Sequence, residues 1–416
     1  MPPPRLKLRT GQPLWIAART APQTPTHSRL TGTQQADVVI VGGGITGAIA
    51  ALRFADAGVD ALVLEANLIG GGSTAASSAL LLQEPDSRLT ALRERYGAAT
   101  AARIWRLSQD AARELIALLE GLPAPPAIAR RDTVYYTIDA DEVAALHREY
   151  VARCRAGFEV TWLTPRALRD EVGIPARAGL RTRGNAHCDP LRACHGVMRA
   201  AVRAGARVFE RSPARRIEPR RGGVRIRTGD GVVEARQVVI ATGYATRQYR
   251  PLAGRFQLSQ TYVAATPPLG ARARREIGFA DVMLWDARRR YHYARWTADH
   301  RLLLGGADRL VKPGARHSSQ FAAAMRDLRE YFTALFPTLD DVGIDRAWEG
   351  LFAMTPDGLP YLGPHLRYPR HAFALGYGGN GMTFAALAAR VLLEQWRGVR
   401  SVDHQLFAFG RPMRRA

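Results

Sequence analysis

Three features that often assign a protein to a class are scarce or missing in this chain of 416 residues. Its three cysteines, Cys154, Cys188 and Cys194, are an odd number in a long chain and predict no disulfide framework. No apolar stretch reaches the roughly eighteen residues of a membrane span, and the first twenty residues lack the apolar region of a signal peptide. We therefore expect a cytoplasmic protein without stable membrane insertion.

Lysine is also nearly absent, because Lys7 and Lys312 are the only two in the sequence. Arginine therefore carries almost all of the net charge of +22, which results from 59 basic and 37 acidic residues. Scattered arginines favour a solvated surface, although denser groups such as Arg215-Arg216 and Arg288–Arg290 would attract anions, a membrane surface or RNA. The solvated surface is the favoured interpretation, and nucleic-acid binding stays open as an alternative.

Two short pairs, His187-Cys188 and Cys194-His195, have the residue types of metal ligands. No second tight pair completes a tetrahedral set, so we predict no metal site. The same segment is better explained as a helix start, with Asp189 as N-cap and Pro190 in the first position. The predicted apolar face of this helix is Leu191, Cys194, Met198, Ala201 and Val202.

The most informative segment is an apolar run that ends in a glycine-rich turn. Residues 38–41 are apolar, and the turn has the spacing Gly42-x-Gly44-x-x-Gly47, with Gly43 inside it. Such spacing lets the chain leave a strand sharply, brings its backbone against a pyrophosphate and packs the next helix tightly on the sheet. The turn therefore predicts a site for a dinucleotide.

The residues that follow this turn support the same site. A helix predicted from about Thr46 to Ala57 points its N-terminal N–H groups and the positive end of its dipole at the phosphates. A second apolar run, Leu62–Leu64, ends at Glu65, whose carboxylate would accept hydrogen bonds from both ribose hydroxyls. Strand, helix and acid thus fit in about thirty residues, as this fingerprint requires.

A second strand end distinguishes FAD from NAD. Residues 237–243 form an apolar run that ends in Ala241-Thr242-Gly243, whose small residues let the backbone pass close to a cofactor. Short strands are predicted upstream at 207–210, 215–218 and 223–227. A β-meander followed by a closing strand is the order found in FAD-binding oxidoreductases, whereas NAD dehydrogenases continue with βαβ repeats. We therefore predict FAD.

Five further segments extend the pattern over almost the whole chain. They are Pro13–Trp15, Tyr293–Thr297, Asp299–Gly306, Thr355–Pro364 and Gly376–Met382. With these segments the chain resembles the D-amino-acid oxidase and glycine oxidase superfamily of FAD enzymes, nearest to its γ-glutamylputrescine-oxidase-like members. The resemblance implies that Gly378, Gly379, Asn380, Gly381 and Met382 form a glycine-rich entry to the final helix, Met382–Trp396, beside the flavin. The N-terminus of that helix would stabilise negative charge on the reduced ring.

One loop departs from the pattern of the superfamily. The relatives carry Arg-Asn-Gly-Gly within a small-residue loop after the position of Gly70, whereas this chain has Ala76 and Ser77 in place of Arg and Asn. The resemblance implies that the loop passes under the flavin and the ribityl chain, so that Gly72, Ser73 and Thr74 would contact FAD. FAD binding is therefore supported more strongly than the substrate class.

These observations predict an α/β fold with a two-dinucleotide-binding, Rossmann-like FAD domain and a second, β-sheet-rich substrate domain. The FAD domain is expected to be discontinuous, over residues 31–85, 185–250 and 341–416. The substrate domain would comprise residues 86–184, which begin with helices, and residues 251–340. The strand-like residues 132–138 and 256–310 would form a sheet over the flavin.

The predicted chemistry is oxidation of the C–N bond of an amine or amino acid to an imine by hydride transfer to the flavin. No catalytic residue is assigned, but Arg295, Tyr293 and Tyr291 are substrate-binding candidates, and the Arg295 guanidinium would grip a substrate carboxylate with two hydrogen bonds. The FAD should be non-covalent, because the turn at Gly376–Gly381 contains neither Cys nor His. Oxygen or an unknown carrier would accept the electrons.

Two alternatives remain open at this point. The first is an FAD-dependent dehydrogenase of a 2-hydroxy acid or a glycerol-phosphate-type substrate, which would use the same fold. The second belongs to another class and is an FAD-bearing basic subunit that binds RNA or a partner protein. Both retain the cofactor and differ in what the protein binds beside it.

Overall fold

The computed structural model describes residues 9–17, 27–288, 291–311 and 317–411. Lys7, Lys312, Arg289 and Arg290 lie outside these residues. The strands in the described part of the chain form one sheet of eight strands and one of ten. The mixed α/β fold that the sequence predicts is confirmed.

The eight-stranded sheet carries the predicted nucleotide segments. Its order is β17 (Tyr361–His365), β18 (Tyr368–Leu375), β11 (Gly231–Gly243), β2 (Gly32–Val41), β3 (Ala61–Leu64) and β8 (Arg207–Phe209), with β9 (Arg216–Arg220) and β10 (Gly223–Arg227) as a meander attached to β11. The strands from β18 to β8 pair in parallel. The carboxyl ends of these strands therefore meet at one edge, where ligands bind in open α/β sheets.

The helices cover this sheet and connect it with the second one. They are α1 (Leu14–Ala17), α2 (Ile45–Asp56), α3 (Ser73–Ala76), α4 (Leu89–Tyr96), α5 (Ala98–Glu120), α6 (Val143–Arg155), α7 (Pro165–Ala167), α8 (Pro190–Arg203), α9 (Arg250–Ala253), α10 (Ala271–Ile277), α11 (His317–Leu335), α12 (Gly381–Trp396) and α13 (Val402–Gln405). The nucleotide helix and the final helix agree with their predicted ranges to within one residue at each end. Between α4 and α5 the chain turns at Gly97, which adopts a φ of +82°.

The predicted start of α8 is confirmed in atomic detail. The side chain of Asp189 accepts hydrogen bonds from the backbone N–H groups of Leu191 and Arg192, and Pro190 is the first helical residue. The prediction for Val202 is wrong, because this side chain is 40% exposed while the other four residues of the predicted apolar face are buried. Val202 therefore lies on the solvent-facing side of α8, while Ala201 in the same turn stays in the core.

The ten-stranded sheet is built largely from the remaining strands. Its order is β1 (Arg9–Gly11), β16 (Arg346–Met354), β12 (Gln257–Ala265), β15 (Leu302–Leu310), β14 (Tyr293–Trp296), β13 (Met283–Asp286), β5 (Ala129–Thr137), β7 (Ala178–His187) and β4 (Leu80–Leu81), with β6 (Thr161–Leu163) on β7. Helix α11 packs on β15 and β12 and closes a core on one face. The opposite face carries Thr261, Tyr293 and Asp308 toward a cavity.

The division of the chain into two domains stays a prediction. Strands of the eight-stranded sheet come from residues 32–64, 207–243 and 361–375, all within the ranges assigned to the FAD domain. However, β4 and β16 also fall within those ranges and pair in the ten-stranded sheet. We propose that these two strands join the FAD-binding part of the chain to the sheet that faces it.

Within the ranges that the structure describes, no helix combines the length and apolar character needed to cross a membrane.

Candidate cofactor and substrate site

A cavity of about 400 Å³ lies between the carboxyl edge of the eight-stranded sheet and one face of the ten-stranded sheet. Fourteen of the predicted cofactor residues line it. They are Gly42, Gly44, Thr46, Glu65, Gly72, Ser73, Thr74, Ala241, Thr242, Gly243, Gly378, Gly379, Gly381 and Met382. Segments that are far apart in the sequence are therefore brought together around one space.

The turn after β2 is packed too closely for side chains. Gly42 adopts a φ of +115°, and a Cβ atom there would lie 2.5 Å from the carbonyl oxygen of Ala241. A Cβ atom at Gly47 would overlap the carbonyl oxygen of Gly42. The glycines thus let β2 and β11 end side by side and let α2 begin directly against the turn.

Glu65 directly follows β3 and lines the cavity beside this turn. Its carboxylate accepts hydrogen bonds from the backbone N–H groups of Gly43 and Asn67, each at 2.7 Å. Burial raises the pKa of Glu65, while these hydrogen bonds oppose the rise. The side chain is therefore held at the position where the sequence predicts the ribose contact.

Three predicted cofactor residues do not line the cavity. Gly43 is buried and donates its N–H group to Glu65, and Gly47 packs against Gly42. The side-chain amide of Asn380 donates to the carbonyl oxygens of Leu82 and Glu84. These residues support the segments that line the cavity. Their direct contact with a cofactor stays a prediction.

The loop that departs from the superfamily forms one wall of the cavity and is held through its backbone. The carbonyl oxygens of Ala76, Ser77 and Ser78 accept hydrogen bonds from the indole of Trp348 at 2.9 Å, the indole of Trp15 at 2.9 Å and Nε of Arg295 at 2.8 Å. Three side chains thus fix three consecutive peptide groups.

The packing of this loop also explains why a small residue stands at position 76. Ala76 is buried against β16, where a Cβ atom added to Gly350 would lie 2.7 Å from the Ala76 Cβ atom. A longer side chain at position 76 would have to extend away from this strand into the cavity that Ala76 lines. The departure therefore matches the local structure of this chain.

The structure corrects the role predicted for Arg295. This side chain is 1% exposed and does not line the cavity. Its guanidinium donates to the carbonyl oxygens of Ser78, Trp296 and Cys188 at 2.8 to 3.0 Å and to Nδ1 of His187 at 3.1 Å. These bonds occupy the group within the protein, so it is not available to a substrate carboxylate.

The environment of Arg295 is consistent with this structural role. Burial lowers its pKa to about 10, so the group stays charged at neutral pH. Burial, together with the charge of Arg295, lowers the pKa of His187 to about 2, so the imidazole is neutral and can accept the hydrogen bond. We therefore assign Arg295 as a positioning residue for the loop that contains Ser78.

The other two substrate-binding candidates belong to the cavity wall. Tyr291 and Tyr293 line the cavity with ring centroids 6.5 Å apart. Tyr293 fits because its ring occupies the space in which Gly305 of the neighbouring strand has no side chain. Their contact with a substrate stays a prediction.

Several lining residues were not predicted from the sequence. They include Asp86, Thr261, Trp285, Asp308 and the stretch 350–353. Asp86 accepts a hydrogen bond from the backbone N–H group of Gly379, and burial raises its pKa to about 6. A signal for Asp86 was present, since it directly follows the small-residue loop, but no sequence pattern marks Asp308.

The side chains that attach flavin covalently in some enzymes, Cys and His, are absent from the cavity wall as far as the structure describes it. Cys188 and Cys194 are buried elsewhere, and His365 and His371 lie in an aromatic group with Tyr368 and Phe373. Across the described ranges, no three His, Cys, Asp or Glu side chains are grouped so that they could hold a metal ion.

Residues 37–411 match the FAD dependent oxidoreductase family. The chain belongs to this family of FAD-dependent oxidoreductases. It is 30% identical over 403 residues to gamma-glutamylputrescine oxidoreductase of Escherichia coli (strain K12), covering 91% of this chain and 89% of that relative. It is 26% identical to glycine oxidase of Bacillus licheniformis, covering 87% and 93%. The family resemblance drawn from the sequence is confirmed.

Solved structures agree with the fold of this FAD-dependent oxidoreductase. The crystal structure of glycine oxidase from Geobacillus kaustophilus superimposes with a TM-score of 0.73 at 21% identity, covering 91% of this chain and 99% of that one. The L-amino acid deaminase from Proteus vulgaris gives a TM-score of 0.74 at 17% identity. At this identity the two structures support the fold.

The cofactor is FAD, and the cavity suits it. Gly42 and Gly44 line the cavity at the start of α2, where a pyrophosphate would bind, and Gly378 and Gly379 line it ahead of α12. Glu65 lines the same cavity, where the sequence predicts the ribose contact. We propose that the fourteen lining residues named above hold FAD.

We expect Glu65→Ala to weaken FAD binding, because it removes both the ribose acceptor and the hydrogen bond to the Gly43 N–H group. Loss of one charge-assisted hydrogen bond costs about 1.5 to 3 kcal/mol, which corresponds to roughly ten- to hundredfold in Kd. Titration of the apoprotein with FAD, followed by flavin fluorescence, measures the change. The control is Glu276→Ala, on the exposed surface of α10. An unchanged Kd for Glu65→Ala would contradict the assignment.

We also expect acid precipitation to release the flavin, because no Cys or His lines the described cavity wall. The yellow colour should appear in the supernatant, and its absorbance should account for the flavin of the native protein. Colour retained in the washed pellet would contradict non-covalent binding.

Proposed function

We propose that the protein oxidises the C–N bond of an amine or amino acid. Two relatives that align over most of the chain carry the names gamma-glutamylputrescine oxidoreductase and glycine oxidase. The observation that carries the proposal is the continuous cavity, which joins the FAD-binding turns to an aromatic wall at Tyr291, Tyr293 and Trp285. A small substrate would bind against this wall, beside the cofactor.

In the proposed reaction the C–H bond at the carbon next to nitrogen breaks, and its hydride passes to FAD, which supplies the redox chemistry. The nitrogen loses a proton as the C=N bond forms, and water hydrolyses the imine to a carbonyl compound and ammonia or an amine. Dioxygen or another electron carrier takes up the two electrons. Tyr291 and Tyr293 would orient the substrate. The loop that contains Ser78, which Arg295 holds in place, would keep the shape of the cavity constant.

The ion pairs of the surface arginines favour a solvated protein surface over a nucleic-acid binding site. Glu218 lies 2.8 Å from Arg216, 3.1 Å from Arg220 and 3.3 Å from Arg227, so three arginines of the meander share one carboxylate. The Arg288 guanidinium pairs with Asp139. We propose that the partner of this protein is a small amine-type substrate.

Reduction of the flavin without oxygen tests the proposed function. We expect at least one compound in a panel of amines and amino acids to bleach the flavin absorbance of the anaerobic holoenzyme near its visible maximum. Bleaching by 2-hydroxy acids or glycerol phosphate alone would assign the alternative dehydrogenase. No bleaching by any compound, together with RNA binding that falls steeply with salt, would assign the basic subunit.

A further inference from the structure

Asp86 lies where the cavity wall meets the start of α12. The backbone N–H group of Gly379 donates to its carboxylate, and the N–H group of Asn380 also stabilises the charged form. Asp86 and Gly379 both line the cavity that we assign to FAD. The carboxylate therefore occupies the positive end of the helix whose start we expect beside the flavin.

The glycine-rich turn before α12 leaves space for this carboxylate. A Cβ atom at Gly378 would overlap one carboxylate oxygen of Asp86, and a Cβ atom at Gly379 would lie 3.2 Å from both oxygens. The Cβ atom at Gly379 would also overlap the Tyr291 hydroxyl oxygen. The missing side chains at positions 378 and 379 thus let the carboxylate pack directly against the backbone of the turn.

The charge of Asp86 acts against the charge that reduction creates. A hydride carries one proton and two electrons, so its transfer to FAD adds one negative charge to the flavin. The start of α12 would stabilise this charge through its N–H groups. A charged Asp86 already accepts hydrogen bonds there and repels a second negative charge nearby. The reduced flavin and Asp86 would therefore compete for the same positive helix end.

Asp86 can relieve this competition by binding a proton. Burial raises its pKa to about 6, while the backbone hydrogen bonds of the turn oppose the rise. Tyr291 lies close enough for the charge of Asp86 to raise the pKa of the phenol, and Glu84 and Asp308 line the same cavity. A further negative charge in this cavity would raise the pKa of Asp86 again, toward neutral pH.

We propose that Asp86 binds a proton when the flavin is reduced and thereby sets how the reduction potential of the enzyme depends on pH. Two electrons and one proton enter the flavin, and a second proton passes from solvent to the Asp86 carboxylate, whose charge is neutralised. The inference rests on the placement of FAD in this cavity. It holds for any substrate and so goes beyond the proposed function.

The reduction potential of the parent holoenzyme, measured against pH, tests the proposal without a substrate. The enzyme is reduced slowly with a reference dye under anaerobic conditions, from about pH 5 to about pH 9. One proton taken up with two electrons lowers the potential by about 30 mV per pH unit, because a tenfold change in the equilibrium constant of a two-electron couple is about 30 mV. We expect about twice this slope in a window that begins at about pH 6, where Asp86 binds its proton.

Two variants of Asp86 remove the charge and keep a hydrogen-bond acceptor. In Asp86→Asn the amide oxygen can accept from the Gly379 N–H group, and the slope should stay at about 30 mV per pH unit across the window. At about pH 8 its potential should exceed that of the parent by about 30 mV or more, which is at least a tenfold higher equilibrium constant for reduction. Asp86→Ser, whose hydroxyl also accepts at a helix N-terminus, repeats the test if Asp86→Asn loses its FAD.

Asp189→Asn is the matched control. Asp189 also accepts backbone hydrogen bonds at the start of a helix, α8, but does not line the cavity. Asparagine is an equally good N-cap, so the fold should be retained. This variant should keep the steep slope of the parent in the same pH window.

The possible outcomes separate this inference from the proposed function. A parent slope of about 30 mV per pH unit throughout would overturn the inference, because no second proton is then bound. A steep window that persists in the Asp86 variants would overturn it as well, since another group would bind the proton. Neither result bears on amine oxidation, which the anaerobic substrate panel tests. Loss of the steep window in the Asp86 variants, with Asp189→Asn unchanged, supports the inference.

Discussion

Gly44→Val should yield a folded protein that has lost most of its FAD. Gly44 precedes α2 with φ −76° and ψ −174°, an extended conformation that valine also adopts. Its Cβ atom would have Thr74 Oγ1 at 3.1 Å as nearest neighbour, while its branches would enter the cavity that Gly44 lines. Overpacking costs about 1 to 3 kcal/mol, which corresponds to roughly five- to hundredfold weaker FAD binding.

The flavin absorbance per protein after gel filtration measures this loss, and circular dichroism of the apoprotein checks the fold. Gly270→Val is a matched control, because Gly270 also precedes a helix in extended conformation, with φ −64° and ψ 163°, and has open space around it. This control should keep its FAD. Full FAD occupancy in Gly44→Val would refute the placement of the cofactor at this turn.

Arg295→Met should destabilise the protein instead of changing its substrate preference. The variant removes the donors for the carbonyl oxygens of Cys188 and Trp296, both in the interior, and for that of the half-buried Ser78. Each buried acceptor left without a partner costs about 1 to 3 kcal/mol, so the free energy of unfolding should fall by at least about 2 kcal/mol. Urea unfolding of the holoprotein measures this change.

The control for the Arg295→Met variant is Arg272→Met. Arg272 lies on an exposed helix face and pairs with Glu276. Exposed pairs contribute about 0 to 1 kcal/mol, so this control should unfold almost as the parent does. Arg295→Met should also slow flavin reduction equally for substrates with and without a carboxylate. Unchanged stability with a loss confined to carboxylate-bearing substrates would restore the role predicted from the sequence.

Arg295 illustrates why the sequence misplaced one residue of the site. An arginine between aromatic residues on a strand fits both a substrate clamp and a buried structural role. Its partners Ser78 and Cys188 lie 217 and 107 residues away in the chain, and only the packed structure brings their carbonyl oxygens to the guanidinium. Local sequence cannot reveal which acceptors a buried donor will find.

The sequence by itself determined the cofactor and the nucleotide turns, because these depend on local properties. Gly42 adopts a positive φ and packs closely against the neighbouring strand β11. Glu65 directly follows the buried strand β3, at a fixed spacing from the glycine turn. Only the tertiary structure decided which side chains line the cavity beside these turns. Asp86 meets Tyr291 at Gly379, and Thr261 and Asp308 enter the cavity wall from two neighbouring strands, because strand register and contacts between distant segments bring them there.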